Sequence, residues 1–478
     1  MKLLSILSAF LLALCATSHG AAKPNIIFIL ADDLGCMDVG CFNPKTFYET
    51  PNIDSLAKRG MRFTQAYAAC CVCSPTRGSI MTGKYPPRFG VTDYIGGARA
   101  GKMRPAPNAD HLPLEEVTIA EALRDDGGYA TFFAGKWHLG GGEFYPGAQG
   151  FQKELTSGKG GKGSVQFWYP DSDLPVPDSK DDPKTTERIV NEAVKFIGEH
   201  KNGPFFAYLP FLAVHQPIGA RAELVEKYKR KAGSAPPDAW GDERERKVRL
   251  VQNNPVYAAM LEQLDTAIGR VLGAVEKNDL TEKTIVVFMS DNGGLSTSEG
   301  TPTSNFPLRA GKGWPYEGGV REPLIVCAPG VTRPGSTCDS QVISTDFYPT
   351  LLQLAGMDLK PQQHLDGVSL VPLLRGKSAP RGKPLFWHYP HYGNQGGAPN
   401  SVIRDGDWKL IEWHEDGTLE LYNLPQDLSE QHNLAAQQPE KVKDLHAKLV
   451  AWRKEVGAVM PTPNSDPAPA KNKNKQTK

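Results

Sequence analysis

The chain has 478 residues, a formal net charge of +1 and 22% charged residues. That balance excludes a general nucleic-acid or membrane-surface binder, so any preference for anions has to come from a local site. The length allows a large core and leaves room for two domains.

Met1 to about Gly20 reads as a secretory signal: Lys2, an apolar run from Leu3 to Ala16, then Ser18-His19-Gly20. The run is short for a membrane span, and no later segment resembles a membrane helix. The mature protein is expected to be exported, periplasmic or extracellular, where disulfides are permitted. Cys15 leaves with the signal, and seven cysteines remain. If Cys73 is modified, six can pair, and Cys327 with Cys338 is a possible local loop.

Asn25 to Leu30 is a continuous apolar run, as expected of a parallel strand buried on both faces. It ends in Ala31-Asp32-Asp33, where open α/β sheets place their sites, although an Asp pair also starts many turns. Thr50-Pro51 opens a helix that stops at Gly60. In Cys70-Cys71-Val72-Cys73-Ser74-Pro75-Thr76-Arg77, Ser74 before Pro75 predicts a side-chain-capped helix start. Cys73 then stands just before a helix N-terminus, where negative charge is favoured, and Arg77 follows one turn later. Such a cysteine is either a reactive group beside an anion site or a buried, structural one.

Val117–Asp126 and Thr186–Glu199 carry helical periodicity, and Tyr129–Ala134 and Phe205–Phe211 read as strands. The first strand leads into Gly135-Lys136-Trp137-His138, the second into His215-Gln216-Pro217. Lys136 and His138, two apart, would point to one side of an extended segment. A long helix from about Pro255 to Lys277 precedes the strand Thr284–Met289, which runs into Ser290-Asp291-Asn292. This rhythm predicts an α/β sheet with helices on both faces over residues 23–375. Short antiparallel strands around Val402, Trp408 and Leu419, with a helix from Pro439 to Val456, predict a smaller α+β domain over 376–460. The tail 461–478 is rich in Pro, Asn and Lys and reads as disordered.

Asp32, Asp33, Asp291 and Asn292 are oxygen donors of the kind that Ca²⁺ and Mg²⁺ take. With Cys73-x-Pro-x-Arg77 and the following Thr82-Gly83, they resemble the signature of the type I, formylglycine-dependent sulfatases, of the arylsulfatase and N-acetylgalactosamine-6-sulfatase kind. Thr76 stands where that family usually has Ser or Ala, and Met81 where Leu is commoner. The resemblance covers Asn25 to roughly Gly330 and the pattern around Asp405 to Leu434. It implies an alkaline-phosphatase-like mixed sheet sandwiched by helices, and conversion of Cys73 to formylglycine by a formylglycine-generating enzyme. It also implies a metal, Ca²⁺ with Mg²⁺ as the second choice, on Asp32, Asp33, Asp291, Asn292 and the modified Cys73.

Further roles come from the same resemblance. Arg77 helps activate the nucleophile, Lys136 holds it and the sulfate, and His138 bonds the formylglycine hydrate. His215 touches sulfate and the leaving oxygen, and Lys312, in Gly311-Lys312-Gly313, is a second sulfate lysine. A metal and three cations outweigh three carboxylates, and one charge pair at about 4 Å is worth about 4 kcal/mol at an effective dielectric near 20. The pocket should therefore select a compact oxyanion. The expected substrate is a sulfated carbohydrate or aryl sulfate. Alternatives are a phosphoester or phosphonate hydrolase of the same fold, or an inactive carbohydrate-binding homologue. Candidate specificity segments are Gly96–Leu112, Gly140–Lys180 and Phe386–Tyr392, with His388 and His391 as substrate contacts or, equally, domain-interface core.

Overall fold

A computed structural model describes residues 23–156, 184–379 and 381–465. The signal segment 1–20, residues 157–183 of the Gly140–Lys180 loop and the tail from 466 lie outside the described residues.

One sheet organises the chain. Its strands are β1 (Asn25–Ala31), β2 (Met61–Tyr67), β3 (Ala130–Gly135), β4 (Lys153–Thr156), β5 (Phe205–Pro210), β6 (Thr284–Ser290), β7 (Arg321–Cys327), β8 (Ser336–Cys338) and β9 (Val342–Ile343). The spatial order is β8-β2-β7-β6-β1-β5-β3-β4, with β9 also paired to β2. From β6 to β4 all neighbours are parallel, in keeping with the continuous apolar runs of β6, β1 and β5, which helices cover on both faces. β7 is antiparallel to both β2 and β6, which makes the sheet mixed.

Neither β2 nor β7 stands out in the sequence. β2 (MRFTQAY) is only half-buried at its polar positions, and β7 carries Pro323, at a register shift between Glu322 and Leu324. The topology also argues against the possible Cys327–Cys338 loop. β2 lies between their strands, a separation of two strand spacings, roughly 9–10 Å. The seven described cysteines are all free thiols.

The helices are α1 (Pro51–Arg59), α2 (Cys73–Thr82), α3 (Ile119–Asp125), α4 (Lys184–Glu199), α5 (Ala222–Ala232), α6 (Pro255–Lys277), α7 (Phe347–Leu354) and α8 (Pro439–Glu455), with shorter turns between. One face of the sheet packs its Ile27, Ile29 and Phe288 against Leu56 of α1, Ile197 of α4 and Leu264 of α6. The other packs Ile26, Phe28 and Met289 against Ile80 of α2, Leu123 of α3 and Leu351 of α7. No helix among the described residues is long and apolar enough to cross a membrane.

The C-terminal sheet has four antiparallel strands in sequence order: β10 (Leu385–Tyr389), β11 (Asn400–Asp405), β12 (Trp408–Trp413) and β13 (Leu419–Asn423). α8 lies against it. Leu385, Trp387, Trp413 and Leu449 from this domain form one cluster with Tyr67, Trp314 and Tyr316 from the first. A charged knot crosses the same seam: Lys409 Nζ stands 3.1 Å from Glu317 and 2.8 Å from Glu430, all three fully buried. The tail differs from its expected disorder where it is described, for Thr462–Pro463 pairs with Met103–Arg104.

Candidate active site

Register brings the acidic residues together. Ala31 of β1 lies opposite Ser290 of β6, so Asp32 and Asp291 leave their strands side by side at the carboxyl edge. Leu30 lies opposite Pro210, and the Lys136 N–H donates to the Pro210 carbonyl (2.8 Å), which sets the ends of β5 and β3 at the same level. Because β7 runs antiparallel, its N-terminal end also faces this edge, and the loop before it delivers Lys312. Gly293 sits where that loop passes: a Cβ there would lie 1.9 Å from the Gly318 carbonyl.

Cys73 is the first residue of α2, and Ser74 lies within the helix. The expected Ser74 cap is not made. Its Oγ instead accepts from the Ile95 N–H (3.1 Å), tying on a neighbouring loop. The link back to the preceding turn comes from Thr76, whose hydroxyl donates to the Cys70 carbonyl and accepts from the Cys70 N–H, both at 3.1 Å. At the far end Gly83, with φ +70, closes the helix in the left-handed conformation.

Arg77 is buried and makes three bonds: Nε (2.9 Å) and Nη2 (2.7 Å) to Asp291 Oδ2, and Nη1 to the Lys136 carbonyl (2.5 Å). Lys136 Nζ lies 2.5 Å from Asp32 Oδ2 and 3.4 Å from Cys73 Sγ. Lys312 Nζ lies 2.8 Å from Asp33, and Asn292 Nδ2 donates to Asp33 Oδ1 (2.8 Å). Burial works to raise the pKa of Asp32, but Lys136, His215, Arg77 and Lys312 overcome it and hold the carboxyl well below the usual range. Asp291 goes the other way, to about 6, through burial and then Asp32. Burial pushes the Cys73 thiol up to about 12 against Lys136 and Lys312.

The two histidines are positioned by backbone. His215 Nδ1 lies 2.6 Å from the Gln216 carbonyl and Nε2 lies 3.6 Å from Asp33 Oδ2. Burial, then Lys312, lowers its pKa to about 4. His138 Nε2 meets the Ile95 carbonyl at 3.2 Å, while Nδ1 is buried without a partner among the described residues. Burial, then Lys136, holds it well below the usual range. Its φ of +56 shows that the chain turns after β3, so Lys136 and His138 reach the site by that turn rather than by strand alternation.

Asp32, Asp33, Cys73 and His215 each offer a ligand atom within 4.8 Å of the others. Two further oxygens at the site, Asp32 Oδ1 and Asn292 Oδ1, are buried and have no hydrogen bond among the described residues. Orphaned acceptors among carboxylates are what a hard divalent cation satisfies, so the residues fit one. Asp291, expected as a ligand, gives Oδ2 to Arg77 and accepts from the Asp33 N–H (3.2 Å) with Oδ1.

His388 and His391 differ from solvent-facing substrate contacts. Both are 3% exposed. His388 bonds Ser401 Oγ (2.8 Å) and the Val459 carbonyl (3.0 Å), and His391 bonds Thr92 Oγ1 (2.8 Å). The Phe386–Tyr392 stretch is mostly β10, whose Trp387 packs into the seam. Sequence reading also passed over Glu322 on β7, a fully buried carboxyl without a hydrogen-bond partner among the described residues. Burial, then Asp291, pushes its pKa well above the carboxylate range. Its signal was faint: a lone acid before Pro323 in an apolar run.

A family model described as Sulfatase matches residues 24–357, and one described as N-sulphoglucosamine sulphohydrolase, C-terminal, matches 310–455. A sulfatase of Formosa agariphila is 35% identical, covering 94% of this chain and 92% of that protein. Human arylsulfatase A is 32% identical, covering 89% and 86%. The solved structure of Ps i-CgsB in complex with k-i-k-neocarrahexaose superposes with a TM-score of 0.72 at 29% identity, covering 90% and 92%. These matches span both sheets and every residue of the cluster from Asp32 to Lys312, and they make the chain a member of the sulfatase family, a sulfuric ester hydrolase.

Proposed function

We propose that the chain is an exported sulfatase that removes sulfate from a carbohydrate, using a formylglycine made from Cys73 by a formylglycine-generating enzyme, with Ca²⁺ bound beside it and Mg²⁺ as the second choice. Residues 23–375 are the catalytic domain in this reading and 376–460 its C-terminal partner. The observation that carries it is the setting of Cys73: Sγ 3.4 Å from a buried lysine, within a cluster of carboxylates that keeps two oxygens unpartnered. The carbohydrate is supported by the relative whose structure holds k-i-k-neocarrahexaose.

Asp32, Asp33, Asp291 and Asn292, with the modified side chain at position 73, would hold the cation, which when bound supplies positive charge against the ester oxygens. A formylglycine hydrate supplies one hydroxyl to attack sulfur and a second through which sulfate is expelled, which a thiol cannot. The protein's own groups do the rest. Lys136, against the side chain at position 73, and Lys312 hold sulfate oxygens where charge builds up. The Gln216 carbonyl accepts the His215 Nδ1 proton, so Nε2 faces the leaving oxygen and delivers a proton to it from the doubly protonated ring, a state that the negative charge of bound sulfate favours against burial. The Ile95 carbonyl likewise fixes a proton on His138 Nε2, leaving Nδ1 as the base for the second hydroxyl.

Mass spectrometry of the peptide spanning Cys73 is expected to show an aldehyde in place of the thiol; an intact thiol in active enzyme overturns the mechanism. Aryl sulfate should be preferred to aryl phosphate. Ca²⁺ in excess over a chelator-treated sample should raise Tm, since a hundredfold excess over Kd adds about 2.7 kcal/mol. N-terminal sequencing of exported protein should begin soon after residue 20.

A further inference from the structure

Glu299 stands at the mouth of this site in an unusual backbone. Glu299, Gly300 and Thr301 have φ of +54, +81 and +44, three successive left-handed residues of which two carry side chains that disfavour it. The segment is pinned by the Thr301 N–H on the Ser298 carbonyl (2.9 Å) and by Arg249 Nη1 on the Thr301 carbonyl (3.3 Å). The carboxylate reaches across to the C-terminal domain, where Oε1 accepts from Asn394 Nδ2 and from Gln395 Nε2 (2.9 Å). Its other oxygen, Oε2, makes no hydrogen bond among the described residues.

Two close approaches locate the group. A Cβ on Gly300 would lie 3.4 Å from Nε2 of Gln216, the neighbour of His215, and one on Gly313, the neighbour of Lys312, would lie 2.6 Å from Gln395 Oε1. Glu299 therefore lies between the flanks of the two residues assigned to the leaving oxygen and to sulfate. After Asp33 and Cys73, it is the next group that supports the charge on Lys312. An alcohol leaving past His215 meets a half-buried carboxylate with one open oxygen, braced by two carboxamides. A braced carboxylate accepts hydrogen bonds from hydroxyls and has nothing to gain from a flat aromatic ring.

We propose that Glu299, held by Asn394 and Gln395, is a specificity residue that accepts hydroxyl groups of the sugar ring bearing the sulfate. This deepens, and rests on, the sulfatase reading above. The role is to select a polyol leaving group without touching the reacting atoms, so its loss should appear in sugar substrates alone.

The test compares wild-type protein with Glu299→Ala, Glu299→Gln and Asn394→Ala on galactose 6-sulfate, N-acetylglucosamine 6-sulfate and 4-nitrophenyl sulfate. Wild type should cleave at least one sugar. Glu299→Ala should lower kcat/KM on it about tenfold, mainly through KM, and change the aryl ester less than about threefold, the loss expected of one hydrogen bond to a charged group. Glu299→Gln, which keeps an acceptor, should recover part of the sugar activity, and Asn394→Ala should lose part of it, both with an unchanged Tm. Equal losses on sugar and aryl esters, no loss on either, or a wild type that cleaves the aryl ester and neither sugar overturns the inference and leaves the sulfatase reading standing. A wild type inactive on every sulfate ester overturns both.

Discussion

Arg77 does more in this site than carry one charge. Its three bonds fix Asp291 at the end of β6 and the Lys136 carbonyl at the end of β3, so one guanidinium spaces two strand ends. A lysine there could reach one of these acceptors but not all, because it lacks the planar fork. Arg77→Lys is therefore expected to lower kcat/KM by at least about a hundredfold, roughly 2.7 kcal/mol, while the folded protein persists. Steady-state kinetics on an aryl sulfate together with a thermal melt check it, and near-normal activity would remove Arg77 from this role. Thr76 shows the same scale from the other side. A residue that departs from the family pattern carries the two bonds that tie the Cys70 turn to α2.

Helix starts show how far local signals reach. Thr50-Pro51 marks the start of α1 correctly, yet Thr50 does not cap it. The cap comes from Asp265 on α6, whose carboxylate accepts from the Asn52 N–H (3.0 Å) and the Ile53 N–H (2.9 Å). Thr50 uses its hydroxyl on Asp54 (3.2 Å) and Gly40 (2.9 Å) instead. Asp265→Ala should strip the first turn of α1 of both partners and cost about 2 kcal/mol. The urea midpoint should fall, and an unchanged midpoint would show that water replaces the carboxylate. By contrast Thr118 caps α3 as local rules expect, with Glu121 completing the box.

At the scale of the molecule, the C-terminal domain and its contact with the first are sensitive to acid. Burial holds His388 down to about 4 and His391 and His414 down to about 3. Ser401 Oγ bridges His388 (2.8 Å) and His414 (2.9 Å), and Arg453 Nη1 faces that hydroxyl at 3.4 Å. In the unfolded chain these rings titrate near 6.5, so between about 6.5 and 4 the unfolded state binds more protons than the folded one. Stability is therefore full above 6.5 and is lost as pH falls through that window, by up to about 1.4 kcal/mol per pH unit for each ring. Melts at pH 7 and pH 5 should show a marked drop, and His391→Gln should make the drop smaller. Equal slopes in the two proteins would place the acid sensitivity elsewhere.

Much of the site was legible because chemistry-bearing residues stand directly after apolar runs or helix starts, and such signals act within a few residues. Asp32, Asp33, Cys73, Lys136, His215, Asp291 and Lys312 could all be picked out in this way or by resemblance. So could the repeating strand and helix order, since hydrophobic period is a local property. Pairing is not local. That β7 runs antiparallel and so turns the Lys312 loop towards Asp33, and that Arg77 grips Oδ2 of Asp291 214 positions away, depend on register across the sheet. Burial is not local either. His388 and His391 look like ligands in sequence and are buried on other partners, whereas Glu299 looks like an ordinary loop acid until two side chains of the C-terminal domain close on it. The chain by itself determined which groups are available, and packing between distant segments decided which of them meet in one buried cluster.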